Sequence, residues 1–281
     1  MAILVTGGAG FIGSHVVRDL VRENEKIIVY DNYPRTHLLE QLLRPGEIEK
    51  NVKIIHGDVT DFAFLAKTLK ENEVDKIIHL AAVMILEFNA NPLPGVKTNL
   101  EGTAAVFEAA RLLGIRRVVW ASSGSVFGPG TMYRDEYIPN DAPHYPQNLY
   151  GGAKSFNELL ANHYINRLGL DITALRFVMV YGYGQMNGRT AAIMRQMVYN
   201  PAVGKPGTVP AAADNVLGWT SIDDAARATV LAVKASGLKT KAFSVMGRIH
   251  TVQEVADVVR SVLPEAEINL LALEKSQSHT I

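Results

Sequence analysis

The chain is 281 residues long, with 28 basic and 28 acidic residues, 48% hydrophobic residues and no cysteine. That length suits one large α/β domain with an appended lobe. The charge balance excludes a clustered basic footprint for nucleic acid, and the missing thiols exclude disulfides, thiolate nucleophiles and sulfur-ligated zinc.

Strand-like and helical patterns alternate from the first residues. Ile3-Leu4-Val5 is a short apolar run, followed by a glycine turn and a helix that places Ile12, Val16, Val17, Leu20 and Val21 on one face. Further runs follow at Ile27 to Tyr30, Val52 to Ile55 and Lys76 to Leu80. A helical stripe of Leu100, Ala104, Phe107 and Ala110 comes next, with Gly114 placed to stop it. Val118 to Trp120 and Ile172 to Phe177 complete this set of strands. Continuous rather than alternating apolar runs predict strands covered on both faces. The β–α order predicts a Rossmann-type, doubly wound parallel sheet over residues 1–177, the cofactor-binding domain.

Residues 178–281 read as a smaller substrate-binding lobe, with some elements returning to the main sheet. A helix is expected over 189–199, a long loop from Asn200 to Ala213, helices at Asp223 to Ala235 and Val252 to Leu263, and a strand at Phe243 to Val245. The polar end, Glu274 to Ile281, is expected to fray. No apolar run approaches a membrane span, since Ala81 to Phe88 is short and interrupted by Glu87. The start of the chain enters a strand at once, so no signal peptide and a cytoplasmic location are expected. The eight histidines form no HExxH-type pair, and no metal site is expected.

Thr6-Gly7-Gly8-Ala9-Gly10-Phe11-Ile12-Gly13 lies between the first strand and the first helix. Gly7, Gly10 and Gly13 allow a tight turn, close approach of a pyrophosphate, and close packing of helix on strand. The helix N-terminus offers free N–H groups and a positive dipole end to phosphates. Glycine spacing alone fits an empty βα turn equally well, so the context decides. The second strand ends in Tyr30-Asp31, 18 residues beyond Gly13, where a carboxylate can accept from a ribose 2′-OH and repel a 2′-phosphate. NAD is therefore expected rather than NADP. Asp58, ending the third strand, is placed to meet the adenine; by itself it would read as a turn or cap residue.

Tyr150 and Lys154 stand at i and i+4 on a predicted helix, on one face. A neighbouring ammonium favours the phenolate, so Lys154 is expected to lower the Tyr150 pKa. Such a tyrosine can exchange a proton with a substrate hydroxyl. Ser122-Ser123 ends the strand Val118 to Ala121, where the ligand crevice of this fold opens. Ser123 could hold the reacting oxygen beside Tyr150; a strand-ending turn is the bland alternative.

Taken in order, these motifs resemble the extended short-chain dehydrogenase/reductases, specifically the NAD-dependent epimerase/dehydratase family. The likeness continues in Asn32, Asp58-Val59, His79-Leu80-Ala81-Ala82, Asn99 to Thr103, Val126-Phe127-Gly128 and Leu175-Arg176-Phe177. Weaker matches stand at Val180-Tyr181-Gly182 and Ile222-Asp223-Asp224, so that nearly the whole chain is covered. The resemblance implies that Tyr150 is the acid/base, that Lys154 binds the nicotinamide ribose and tunes Tyr150, and that Ser123 positions the substrate oxygen. It implies an NAD site lined by Gly7, Gly10, Phe11, Ile12, Gly13, Asp31, Asn32, Asp58, Val59, Leu80, Ala81, Ala82, Asn99, Ser122, Tyr150, Lys154 and Phe177. It also implies a homodimer through helices near 94–113 and 149–167; Phe156, Leu159 and Leu160 suit such a seam or a core equally well.

The departures narrow the activity. Gly124-Ser125 stands where dehydratases of the family carry an Asp-Glu pair, which argues against water elimination. Met179 replaces an asparagine usual in the nucleotide-sugar epimerases, Leu217 to Ile222 lacks their arginine, and Phe127 replaces a tyrosine. From Phe177 to Asp224 the only cations are Arg189, Arg195 and Lys205. Asp223 and Asp224 are expected to cap a helix, and His144, Tyr181 and Trp219 to pack. The expectation is an NAD-dependent epimerase or oxidoreductase acting on a secondary hydroxyl or ketone of a sugar-like small molecule. The alternatives are a dehydrogenase of a small hydroxy acid, polyol or hydroxy amino acid, and a non-catalytic NAD-binding regulator.

Overall fold

The computed structural model describes residues 1–133 and 138–270. The expected frayed end, Glu274 to Ile281, lies outside the described residues. Six strands arise in the first part of the chain: β1 (Ala2–Thr6), β2 (Ile27–Asp31), β3 (Val52–His56), β4 (Val74–His79), β5 (Arg117–Ser123) and β6 (Ile172–Phe177). Shorter ones follow: β7 (Val180–Tyr181), β8 (Gly207–Val209), β9 (Val216–Ser221), β10 (Ala242–Val245), β11 (Arg248–Thr251) and β12 (Ile268–Leu270). Seven of them form one parallel sheet in the order β10-β6-β5-β4-β1-β2-β3.

Side chains alternate between the faces of a strand, so an unbroken apolar run feeds two cores. Leu4, Ile28, Tyr30, Ile77, Val118 and Trp120 face helices Thr103–Leu112 and Leu149–Leu168, meeting Val106, Phe107, Ala161 and Tyr164. Ile3, Val5, Ile27, Val29, Ile78 and Val119 face the other way. There they meet Val16, Val17 and Leu20 of helix Phe11–Arg22, and Ala226, Val230 and Val233 of helix Ile222–Lys234. The strand order reverses between β1 and β4, which opens a crevice at their carboxyl ends.

Two later elements join this sheet. β10 pairs with β6, Phe243 opposite Leu175, and helix Ile222–Lys234 covers the same face as helix Phe11–Arg22. The remaining strands form a three-stranded sheet, β11-β9-β7, and a two-stranded one, β12-β8. They surround a smaller core of Ile193, Met194, Met197, Val209, Leu217, Trp219, Val252 and Ile268.

The structure differs from the sequence reading in three places. The stretch expected to be a loop from Asn200 to Ala213 contains a short helix, Asn200–Ala202, and β8, which is pinned by pairing with β12. A three-residue strand is too short to show alternation. The helix from residue 189 is α-helical only over Arg189–Met194 and continues as a π-helix over Arg195–Tyr199. A second π-helix, Lys97–Gly102, precedes helix Thr103–Leu112, a form that often marks functional positions.

Candidate active site

The glycine turn is built by steric necessity. Gly7 has φ +66°, and a Cβ on it would lie 2.8 Å from the Ala81 nitrogen. A Cβ on Gly13 would lie 2.1 Å from the Gly7 carbonyl oxygen, so helix and turn touch backbone to backbone. The helix starts at N-cap Gly10 with no side-chain cap and no acidic residue in its first turn, which leaves its positive end to an outside anion. Asp31 ends β2 with its carboxylate fixed by two backbone donors, Ala9 N–H at 3.1 Å and Tyr33 N–H at 2.9 Å. It retains lone pairs for further donors.

Asp58 is held differently. Its Oδ1 accepts from Thr60 N–H (2.8 Å) and the Thr60 hydroxyl (2.7 Å), and its Oδ2 from Asn32 Nδ2 (3.3 Å). Burial works against its charge, but these donors outweigh it and hold its pKa below the usual carboxylate value. The carboxylate thus serves its own turn and fixes Asn32. Val59 is buried against Gly102, where a Cβ would come within 2.5 Å of Val59 Cγ2.

A buried relay joins β1 to β4. Thr103 Oγ1 donates to the Asn99 carbonyl (2.9 Å) and faces His79 Nε2 at 3.0 Å, while Thr6 Oγ1 lies 2.7 Å from His79 Nδ1. Thr6 Oγ1 also accepts from the N–H groups of Leu80 (3.2 Å) and Ala81 (3.3 Å), which fixes the Leu80-Ala81-Ala82 edge of the crevice. Burial, with the Lys154 charge beside it, pushes His79 down to about 3, so the imidazole is neutral, accepting at Nδ1 and donating at Nε2. The Asn99 side chain clamps Val83 through both its N–H (2.7 Å) and its carbonyl (2.9 Å). Sequence reasoning placed Asn99 at the site but gave His79 and Thr103 no role; the available signal was a polar residue ending each of two apolar strands.

Tyr150, Lys154 and Ser123 come together. Asn148 caps helix Leu149–Leu168 by accepting from Gly151 N–H at 2.9 Å, which places Tyr150 in its first turn. Gly151 is required there, because a Cβ would lie 2.5 Å from the Ser125 carbonyl oxygen. Tyr150 packs among Phe88, Val83, Ile85, Leu100 and Ala153. Lys154 is buried, its Nζ 2.6 Å from the Ala121 carbonyl and 5.5 Å from the ring centres of both Trp120 and Tyr150. Ser123 accepts from Ser125 N–H (3.1 Å) and donates to Ser125 Oγ (3.2 Å). Phe177 joins Phe11 and Ile12 in a cluster with Val180 and Ile222. Ser122 turns its hydroxyl to Glu158 instead, at 2.6 Å.

Two expectations need correction. Burial pushes Tyr150 up to about 12, against a lowering by Ser123, and pushes Lys154 down to about 8. The expected lowering of Tyr150 by Lys154 is absent because the ammonium is directed at the Ala121 carbonyl and desolvation dominates. Nor does Asp223 cap its helix: Ser221 does, accepting from Asp224 N–H, while Asp223 accepts from Arg18 Nη2 at 2.9 Å. Trp219 and Tyr181 pack edge to face as expected. His144 lies in a half-buried polar cluster with Arg176 and Ser155, and Met179 adopts φ +36°, unusual for a residue with a side chain.

A sequence profile of the NAD dependent epimerase/dehydratase family matches residues 3–245. The chain belongs to this family. It is 37% identical over 190 residues to the uncharacterized protein MJ1055 of Methanocaldococcus jannaschii, covering 65% of this chain and 58% of that protein. It is 31% identical over 183 residues to UDP-glucose 4-epimerase of Lacticaseibacillus casei, covering 65% and 52%. The chain thus spans little more than half the length of these relatives. The solved structure of UDP-N-acetylglucosamine 4-epimerase from Methanobrevibacter ruminantium M1, in complex with UDP-N-acetylmuramic acid, superimposes with a TM-score of 0.86 at 25% identity. That match covers 99% of this chain and 87% of the other. The curated relatives that the chain resembles include UDP-glucose and UDP-glucuronate 4-epimerases.

Among the described residues no helix is long and apolar enough to cross a membrane.

Proposed function

We propose that the chain binds NAD across the β1–β4 crevice and exchanges hydride with a secondary hydroxyl or ketone of a sugar-type molecule. The observation that carries this reading is the burial of Tyr150 and Lys154 on one helix face against Ser123, at the carboxyl end of β5. The uncapped N-terminus of helix Phe11–Arg22 suits the pyrophosphate, and the fixed Asp31 carboxylate suits ribose hydroxyls. The NAD-binding half extends through Phe177, and the residues after it supply most of the substrate's surroundings.

When bound, NAD accepts the hydride, and its oxidised ring brings a positive charge that favours the Tyr150 phenolate. Tyr150 takes the proton of the reacting hydroxyl while the carbon gives up its hydride, and returns it in the reverse direction. Ser123 orients the reacting oxygen. Lys154 secures the end of β5 through the Ala121 carbonyl and offers its charge to the cofactor ribose. Gly124 and Ser125 bring no carboxylate beside Ser123, so the reading includes no elimination of water.

The similarity to UDP-sugar epimerases supports an epimerase, in which the hydride returns to the opposite face of the same carbon. One observation favours a dehydrogenase of a small hydroxy acid, polyol or hydroxy amino acid. Arg189, Arg195 and Lys205 are all exposed, and Arg195 donates to the Met186 carbonyl at 3.3 Å. A purely NAD-binding regulator has no use for the Ser123, Tyr150 and Lys154 arrangement. The exposed Leu93, Val96, Leu149, Phe156 and Leu159 support a homodimer through their two helices, which sedimentation of the purified protein tests. A cytoplasmic location belongs to the same proposal, and cell fractionation tests it.

The purified protein should carry NAD, seen by mass spectrometry, and Tyr150→Phe should keep it. Turnover in that variant should fall by about 10²–10⁴-fold. The substrate panel compares UDP-sugars with free uronates, aldonates, polyols and hydroxy amino acids. Full activity of Tyr150→Phe on any of them removes Tyr150 from its role.

A further inference from the structure

Tyr150, Lys154 and Glu158 recur at four-residue spacing along helix Leu149–Leu168 and therefore share one stripe. Their partners are three consecutive residues at the end of β5. Lys154 Nζ donates to the Ala121 carbonyl at 2.6 Å, the Ser122 hydroxyl donates to Glu158 Oε1 at 2.6 Å, and Ser123, the last residue of β5, stands close enough to Tyr150 to lower its pKa against the rise from burial. Helix and strand are stitched together residue by residue.

Glu158 is the fixed end of this stitching. Its carboxylate is buried and accepts from Arg176 Nε at 2.8 Å and Arg176 Nη2 at 2.5 Å. Arg176 is itself immobilised. It lies opposite Ser122 in the β5–β6 register, donates to the Asn140 carbonyl at 2.6 Å, contacts His144 Nε2 at 3.2 Å and stacks 4.7 Å over the Phe127 ring. His144 Nε2 lies 3.6 Å from Glu158 Oε2 on that same side, and a buried carboxylate so held transmits its position through the other hydrogen bond it makes among the described residues. That link is the Ser122 hydroxyl, and Ser122 shares a peptide unit with Ser123.

We propose that Glu158 is a positioning residue for the reaction: through the Ser122 hydroxyl it sets where Ser123 stands relative to Tyr150. The inference rests on the assignment of Tyr150 as the acid/base. Without the link the end of β5 relaxes, Ser123 draws away from the phenol, and the phenolate loses a donor.

Glu158→Gln leaves the buried Arg176 without its counter-charge and risks unfolding, so the Ser122 hydroxyl is the better target. The experiment is a tyrosinate absorbance titration of the NAD-loaded protein, with the Tyr150→Phe trace subtracted so that only Tyr150 is followed. Ser122→Ala should raise the Tyr150 midpoint by about half a pH unit, and Ser122→Thr, which keeps a hydroxyl, should restore it. A Ser122→Ala midpoint equal to wild type, accompanied only by a lower melting temperature, makes Glu158 a structural residue and overturns the proposal alone. If Tyr150→Phe keeps full turnover on the substrate panel, the Tyr150 assignment falls and the positioning role with it.

Discussion

Up to Phe177 the chain buries polar side chains in pairs across strand ends; after Phe177 it fills a smaller core with apolar side chains, two methionines among them. Thr6, His79, Asn99, Thr103, Ser122, Lys154, Glu158 and Arg176 are all buried, and each is hydrogen-bonded across elements. Among the described residues beyond Phe177, the buried polar side chains are Thr220 and Thr229, both donating to carbonyls. The core there sets Met194, Met197 and Trp219 among Ile193, Val209, Leu217, Val252 and Ile268. Satisfied buried networks specify one arrangement and resist change, whereas methionine adapts to its surroundings. Reaction geometry calls for the first property, and fitting a particular substrate is served by the second.

The largest expected effect breaks the first region at its tightest point. Gly13→Ala puts a Cβ 2.1 Å from the Gly7 carbonyl, where only backbone can yield. It should destabilise the protein by about 3 kcal/mol and abolish NAD retention. Gly152→Ala is the control, since a Cβ there meets nothing within 4 Å. In a helix that change should be neutral or stabilising by up to about 1 kcal/mol. Urea unfolding of both variants measures the difference, and equal losses would show that the turn is not sterically closed.

The next effect tests the buried relay through its protons. His79 is held neutral, down to about 3, whereas in the unfolded chain it takes a proton near 6.5. Between those values the unfolded state binds more protons, so stability falls as pH falls. This one group contributes up to about 1.4 kcal/mol per pH unit. His79→Gln removes that contribution, and its stability should fall less steeply between pH 6.5 and 4.5 than that of the wild type. Parallel slopes in urea unfolding at several pH values would falsify the neutral assignment.

The two regions also differed in how far the sequence revealed them. β1, β2 and β5 announce themselves through consecutive apolar residues, as strands covered on both faces do, whereas β3, β4 and β6 are interrupted by Lys53, by Asp75 and Lys76, and by Arg176. β7, β8 and β12 have two or three residues each, too few for any period, and exist because a partner strand pairs with them. At the site, the glycine turn and the Tyr150/Lys154 spacing are local and could be set on a helix directly. The partnership of Thr6 with His79 spans 73 residues, and that of Ser122 with Glu158 spans 36, so neither has a local signature. Nor does spacing reveal how deeply Tyr150 and Lys154 are buried, and that depth is what turns the Tyr150 shift upward.

The smallest expected effect compares one side chain from each region. Thr103→Val keeps the shape of the side chain but deletes the oxygen that faces His79 Nε2, leaving a buried N–H without a partner. An unsatisfied buried donor costs about 1–3 kcal/mol. Met197 is equally buried, in the π-helix Arg195–Tyr199, with only apolar neighbours in its core. Met197→Leu nearly conserves volume and removes no hydrogen bond, so it should cost less than about 1.5 kcal/mol. Thermal unfolding of the pair, with NAD retention as a second readout, tests the contrast. If Met197→Leu proves the costlier of the two, the later core is as specifically packed as the first, and adaptability cannot be its contribution to substrate fit.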